Sequence, residues 1–405
     1  MGETLKPRDE KDLVEAVRWA ISEDHPLEVI GQGSKRDLGR PVQAGHVLDL
    51  SAISGVETYE PAELVLTVRA GTPIAEVERL VEEHGQELAF EPMDYGPLLG
   101  REPGLGTIGG VVGANLSGPK RLKHGAARDH ILGLQAVSGR GEVFKAGGKV
   151  VKNVTGYDLP RALCGSWGTL ALATSVTFKV LPRAQTEATV LLPGLSDAEA
   201  VRSMTRAMGS SAEVSAAAHL PREAAEKIGV DGFDGTKDAT LLRLEGFGPS
   251  VDYRFDALRK LFGDAIAAER LEADVSRALW RAVRDCLPFA GDDAPVWRVS
   301  LAPTAGPAFV ADLSRVLAFE AFYDWSGGLV WLRLKDGDPQ AEALREGVKR
   351  AGGGHATLVR ASHAVRTSVP VFEPQPKPLA GLSRRLKQQF DPSGILNPGR
   401  MASGL

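Results

Sequence analysis

Within residues 10–23, apolar side chains recur at Leu13, Val14, Val17, Ala20 and Ile21, the spacing of an amphipathic helix. The run LEVIGQG that follows reads as a short strand entering a glycine turn, and HVLDLS as a second strand. Together they predict a small α/β unit over about residues 1–55. Two more strand-like runs cover 55–60 and 64–70, and Thr72-Pro73 with Glu76 in the first turn opens a helix. Periodicity then fades across a glycine-rich stretch, 96–130. It returns as strands at 131–137, 143–146 and 150–152, a short helix at 158–163 and an alternating run at 170–181 that stops at Pro182. The change of character beyond it predicts a boundary near 183–188.

From 187 to about 360, a strand–helix–strand–strand–helix order occurs twice. The first pass is EATVLLPG, 197–208, VSAAAHL, ATLLRLEGF and 253–262. The second is VWRVSLAP, 309–317, FEAFYDW, GLVWLRL and 339–351, closed by HATLVRA. Such a repeat predicts a split ferredoxin-like architecture or one pseudo-duplicated sheet with helices on one face. Its tryptophans, Trp280, Trp297, Trp325 and Trp331, are expected as core anchors. VPVFEPQPKP at 369–378 is an extended linker, and a helix at 382–390 precedes the tail DPSGILNPGRM.

Composition adds size and exclusions. The 405 residues, 43% hydrophobic and 25% charged, suit a soluble globular chain of two or three domains. A net charge of −4 gives no global attraction to nucleic acid. The two cysteines, Cys164 and Cys286, lie too far apart for a CxxC site and are too few for a disulfide framework or a cysteine-ligated iron–sulfur cluster. Cys164 ends an apolar helix and is expected buried and inert. Free thiols and an N-terminus without an apolar signal segment predict a cytoplasmic protein.

Glycine changes the picture most. There are 46, and seventeen of them fall between Gly96 and Gly168. The turn Gly31-Gln32-Gly33-Ser34-Lys35 follows a strand and offers N–H groups, a hydroxyl and a cation, a nest suited to a pyrophosphate. Its spacing is neither a Walker A nor a GxGxxG fingerprint, and an ordinary turn fits it as well. The segment from Pro103 to Gly118 holds six glycines in sixteen residues and almost no charge. It reads as a poor helix and a poor solvated loop, and as backbone laid against a large flat or phosphorylated ligand. Lys120, Arg121, Lys123, His124 and Arg128 follow as a local positive field or a solvated basic loop. A third segment combines KNVTGYDL, from Lys152, with GSWGTL, from Gly165.

Taken jointly, GTIGGVVGANLSG, KNVTGYDL…GSWGTLALATSVTFKVLP and FDPSGILNPGR resemble the vanillyl-alcohol-oxidase, or PCMH-type, FAD-binding family. Within it they resemble most the FAD-binding subunits of bacterial glycolate oxidase complexes. The motifs cover about half of the chain, residues 27–181 and 378–400. The resemblance implies an α+β fold with a two-subdomain FAD domain at 1–185 (divided near 55), an inserted ferredoxin-like cap at 186–368 and a returning C-terminal segment at 369–405. It implies FAD against Gly31, Gln32, Gly33, Ser34 and Lys35; against Gly104, Gly106, Thr107, Ile108, Gly109 and Gly110; and against Asn115, Ser117 and Gly118. Arg121, Gly125 and the Gly165–Leu170 turn, with Gly168 and Thr169, would complete the pocket, with Asn397 and Arg400 at the isoalloxazine edge.

Members with covalent flavin often carry a histidine where this chain has Gly33, so non-covalent FAD is expected. The HxxGDGNxH metal motif of catalytic 2-hydroxy-acid dehydrogenases is absent, and the eight histidines are scattered; His355 and His363 form no obvious ligand pair. No residue is assigned a catalytic role. The expected function is oxidation of glycolate to glyoxylate within a complex, with a catalytic flavoprotein subunit and an iron–sulfur subunit as partners. A stand-alone hydroxy-acid dehydrogenase and a non-catalytic assembly subunit are the alternatives. Contact with a membrane is expected only through the partners.

Overall fold

A computed structural model describes residues 2–148, 156–263 and 266–404. The expected strand at 150–152 and the residues Lys152 to Thr155 of the third motif lie outside the described residues.

The first helix, α1 (Glu10–Ser22), forms where the apolar spacing places it, and the Asp9 side chain caps it by accepting from the Asp12 N–H. Its Leu13, Val17 and Ala20 pack on a three-stranded parallel sheet of β1 (Thr4–Leu5), β2 (Leu27–Ile30) and β3 (His46–Asp49), ordered β1-β3-β2. The same core takes in Ile395 and Leu396, because the C-terminal tail lies parallel along the edge of β2. Leu27 N–H donates to Ile395 O at 2.8 Å and Asn397 N–H to Leu27 O at 3.0 Å.

A five-stranded antiparallel sheet stands beside it. Its strands β4 (Val56–Glu60), β5 (Val65–Arg69), β7 (Ile131–Ser138), β8 (Val143–Gly147) and β9 (Ala171–Lys179) run in the order β4-β5-β9-β7-β8. A small pair, β6 (Gln86–Glu87) with β10 (Leu181–Pro182), closes one end. Helices α2 (Ile74–Glu83), α3 (Ile108–Ala114), α4 (Arg121–His124), α5 (Ala127–His130) and α6 (Leu159–Leu163) lie on and around the sheet.

The third sheet holds β11 (Thr186–Pro193), β12 (Ala216–Leu220), β13 (Ala239–Gly246), β14 (Glu269–Leu271), β15 (Val296–Ser300), β16 (Phe319–Asp324), β17 (Leu329–Leu334) and β18 (His355–Arg360). Its order, β14-β11-β13-β12-β16-β17-β15-β18, resolves the two architectures expected for the repeat. Each half is a complete βαββαβ unit, and the two second strands, β12 and β16, pair antiparallel at His219 and Tyr323. The expected pseudo-duplicated sheet and ferredoxin-like unit are therefore the same object seen at two scales.

Alternation along the strands divides the faces. Val190 and Leu192 bury against α7 (Asp197–Met208) and α9 (Gly248–Phe262). Val299 and Leu332 bury against α11 (Gly306–Leu313) and α12 (Ala341–Arg350). Leu191, Ala218, Leu241 and Trp331 turn the other way, into a core shared with α8 (Arg222–Ala225), α10 (Ala273–Arg284) and the antiparallel sheet. Helices thus sit on both faces, not on one, because the second face also packs on the antiparallel-sheet half. Trp280, Trp297, Trp325 and Trp331 are all buried. The chain ends through α13 (His363–Ser368) and α14 (Lys377–Phe390), five residues longer at its start than the sequence pattern predicts because Pro378 is accepted in the first turn.

Candidate cofactor site

A cleft of about 980 Å³, counting its open mouth, lies between the parallel sheet, α3, the turn before β9 and the C-terminal tail. One end is polar and formed by the turn after β2. The backbone N–H groups of Gln32, Gly33, Ser34 and Lys35 find no acceptor among the described residues. Lys35 donates its ammonium to the Ser34 hydroxyl at 3.0 Å, and burial pulls its pKa down to about 8 against the pull of Asp94. Arg400 donates to the Lys35 carbonyl at 2.8 Å, and burial lowers its pKa to about 10. Neither cation makes an ion pair among the described residues. Apolar walls come from Val29, Leu50, Val112, Leu134 and Leu163.

The glycine segment reads as a poor helix, yet residues 108–114 of it form the helix α3. Thr107 caps that helix, its hydroxyl accepting from Gly110 N–H at 3.3 Å. Ile108 N–H donates to Thr72 O at 3.0 Å and Gly109 N–H to Ala70 O at 2.6 Å. The first-turn donators of α3 are therefore engaged by protein, and free backbone donors cluster in the 32–35 turn instead. Glycine here serves close approach between elements. A Cβ on Gly31 would stand 2.5 Å from the Thr107 hydroxyl, and one on Gly110 would stand 3.2 Å from Lys35 Cε and Nζ.

Of the residues expected at the cofactor, Gly31, Gln32, Gly33, Ser34, Lys35, Thr107, Gly109, Gly110, Gly168, Asn397 and Arg400 line this cleft. The remainder do not. Gly104 N–H donates to the Asp94 carboxylate at 2.7 Å in a turn of positive φ, and Gly106 O accepts from Ile74 N–H at 2.9 Å. Ile108, the first residue of α3, turns into the core. Asn115 ends α3 in the left-handed region, its side chain accepting from Arg128 N–H at 3.1 Å. Ser117 accepts from Arg121, whose guanidinium lies 4.8 Å from the Trp325 ring of the eight-stranded sheet's half. Gly118 O accepts from the Trp325 indole N–H at 3.0 Å, and a Cβ on Gly118 would meet the Glu91 carbonyl at 2.5 Å. Gly125 closes α4, and Thr169 donates to Ser166 O at 2.6 Å beside a second cavity.

Asn397 sits at the cleft, where its side chain acts as a clamp. It accepts from Val29 N–H at 2.9 Å and donates to Trp167 O at 2.8 Å. Trp167 belongs to the 165–170 turn expected at the pocket, whereas Ala171, Leu172 and Ala173 are lining residues that sequence reasoning passed over. Three consecutive residues of β9 line the cleft, so the alternation of the strand does not single them out.

The basic run after Gly118 is also corrected. Lys120 is buried and joins Glu87 at 2.8 Å and Glu245 at 3.1 Å, while Arg243 of β13 joins Glu91 at 2.6 Å and Glu187 at 2.8 Å. While Lys123 and Arg128 stay exposed, Lys120 is thereby withdrawn from the basic run into a carboxylate cluster that ties the two halves together. No sequence motif announced it. His124 is held neutral, burial taking its pKa down to about 4. Cys164 is buried, and burial pushes its thiol up to about 12.

The FAD binding domain family matches residues 3–147. Glycolate oxidase subunit GlcE of Escherichia coli strain K12 is 36% identical over 394 residues, covering 97% of each chain. This chain belongs to the PCMH-type FAD-binding oxidoreductases. Glycolate oxidase subunit GlcD of Bacillus subtilis strain 168 is 30% identical over 190 residues, 46% of this chain and 38% of that one. Among solved structures, p-cresol methylhydroxylase with substrate bound shares the fold at a TM-score of 0.73 and 15% identity, over 99% of this chain and 88% of the other.

The cleft fits FAD. A dinucleotide with a flat ring system needs free N–H donors and cations for its phosphates and an apolar wall for its rings. The 32–35 turn with Lys35 and Arg400 supplies the first, and the Val29–Leu163 wall supplies the second. No helix among the described residues is long and apolar enough to cross a membrane.

Proposed function

We propose that this chain is the FAD-binding subunit of a complex that oxidises glycolate or a close 2-hydroxy acid. The observation that carries the reading is the end-to-end likeness to a glycolate oxidase subunit, joined to a cleft built for a dinucleotide. FAD, when bound, takes two electrons from an organic donor and releases them singly. The chain's own part is to hold and orient that group. The Gln32–Lys35 turn and Lys35 would meet its phosphates; Arg400, expected at the isoalloxazine edge, donates to the Lys35 carbonyl and would stand beside the same turn. Gly31 and Gly110 admit Thr107 and Lys35 at close approach, and Asn397 fixes the Trp167 turn against β2. Attachment is expected to be non-covalent, in keeping with a described lining that holds no histidine, cysteine or tyrosine. Among the described residues no three histidine, cysteine or acidic side chains gather to hold a metal. The reading assigns hydroxy-acid oxidation to a companion flavoprotein and iron–sulfur centres to a further partner.

Co-purification with the companion subunits, flavin counted per chain and bleached by glycolate, tests this. The expected result is one releasable FAD per chain, bleached by glycolate only in the complex. Bleaching of the isolated chain by glycolate or D-lactate would make it a stand-alone dehydrogenase, and absence of flavin after reconstitution would make it an assembly subunit. Acid precipitation is expected to leave the flavin in the supernatant.

Lys35 sets a pH dependence. Its ammonium is the form an anion favours, and its free-state pKa is about 8. FAD affinity is therefore expected to be flat below that pH and to fall by up to about tenfold per unit above it, until the pKa of the loaded state is reached. Titration of the apoprotein with FAD at pH 6.5, 8 and 9.5 reads the slope. Lys35→Gln should abolish the slope and weaken binding at neutral pH by about 10- to 100-fold, the loss of one charge-assisted hydrogen bond.

A further inference from the structure

A second cavity, about 1440 Å³ with its open mouth, lies between α14 and the turn at residues 162–170. Ala162, Leu170, Phe372, Leu386 and Met401 make its walls apolar, and Ser166 belongs to both this cavity and the cofactor cleft. The helix above it is incompletely covered. None of its residues is fully buried, and Leu379 and Leu382 are 47% and 54% exposed, on the side that Leu386 continues inward. There is no acidic residue between Glu373 and Asp391, in a chain whose net charge is −4. Lys387 is held internally by Asp391 and two carbonyls, but Lys377, Arg384 and Arg385 make no ion pair among the described residues.

We infer that this groove and the exposed side of α14 form the docking surface for an acidic, apolar-tipped segment of a second protein subunit. The inference rests on the subunit reading proposed above. Concavity favours a protein over a bilayer, because a flat lipid surface leaves a groove of this depth unfilled. An interfacial membrane helix also carries aromatic anchors on its apolar face. The aromatic residue of α14, Phe390, instead packs inward against Phe144 at 5.9 Å. Apolar side chains of the partner would fill the groove, and its carboxylates would meet Lys377, Arg384 and Arg385 at the rim, where charge governs encounter and register. Docking here places the partner against the wall that Ser166 shares with the cofactor cleft.

The test uses the full chain co-expressed with its companion flavoprotein subunit. Leu382→Glu, and separately Arg384→Glu with Arg385→Glu, are expected to weaken assembly by about tenfold or more, with bound FAD per chain and thermal midpoint unchanged. Arg384→Lys with Arg385→Lys should restore assembly, and raising salt from about 50 to about 300 mM should weaken the wild-type complex in the same direction. Undiminished assembly of both glutamate variants overturns the docking inference and leaves the subunit reading standing. Failure of the wild-type chain to assemble removes both. A homodimer of the isolated chain dissolved by the same substitutions, or flotation on vesicles containing phosphatidylglycerol, would reassign the surface to a second copy or to a membrane.

Discussion

Gly110→Val is expected to empty the flavin site while leaving the chain folded. A Cβ at this position already stands 3.2 Å from the Lys35 Cε and Nζ, so the branched side chain must displace the ammonium from the polar end of the cleft. Losing that contact costs about 1.5–3 kcal/mol of affinity, a factor of about 10 to 150, before any direct obstruction is added. The helix itself does not suffer, since valine is a slightly better helix residue than glycine. Gly109 provides the contrast. Its Cβ would lie 3.1 Å from the Ala70 carbonyl and methyl, in the junction between α3 and the end of β5. Gly109→Val therefore overpacks a structural contact and is expected to cost about 1–3 kcal/mol of stability. Flavin absorbance per chain and the apoprotein's urea midpoint separate the two. Equal flavin loss with equal destabilisation in both variants would show that the segment is structural and not a cofactor wall.

Arg243→Met should be strongly destabilising. The guanidinium is buried, contacts Glu91 and Glu187, and lies 3.5 Å from Glu245, with Lys120 as the other cation of the cluster. Its removal leaves buried carboxylates under-compensated, and breaking such a cluster costs about 3–5 kcal/mol, against a usual total margin of about 5–15 kcal/mol. The pH dependence gives the signature. In the native chain Arg243 and Lys120 hold Glu91 below its ordinary range and Glu245 at about 2, despite burial that acts in the opposite direction. Those two groups contribute stability above the carboxylate range, and it is lost only as pH falls towards their folded values. Without Arg243 burial dominates and their folded pKa values rise. The deficit of the variant should then be largest at pH 8 and shrink towards pH 5, as protonation relieves the uncompensated charge. Urea unfolding at the two pH values measures it, and a deficit independent of pH would assign the loss to packing alone.

Much of the architecture is legible from periodicity. The Leu13–Val17–Ala20 spacing makes α1, and the repeated order after residue 187 makes two βαββαβ units. The Gly31–Lys35 turn was only half legible, because a strand followed by glycine, hydroxyl and cation is also an ordinary turn, and only the fold leaves its N–H groups without acceptors among the described residues. The glycine segment was misread in a physically instructive way. Glycine is a poor helix residue in isolation, yet Gly109 is glycine because α3 crosses the end of β5 too closely for a side chain. That reason belongs to the partner element and leaves no mark in local sequence.

The same limit separates the remaining residues. Asn397 is legible as part of a tail motif, but its work, joining Val29 to Trp167, needs a tail that returns across 368 residues to the edge of β2. Lys120 looks like one more cation in a basic run, and only the approach of β13 turns it into the centre of a buried carboxylate cluster. Periodicity and short motifs sufficed for most elements, the repeat and the family, α3 excepted, because the interactions behind them span a few residues. Tertiary structure alone decided which donors stay free, which charges are buried and which helix face lies open. Those properties depend on desolvation by distant segments, and no window along the chain contains both partners.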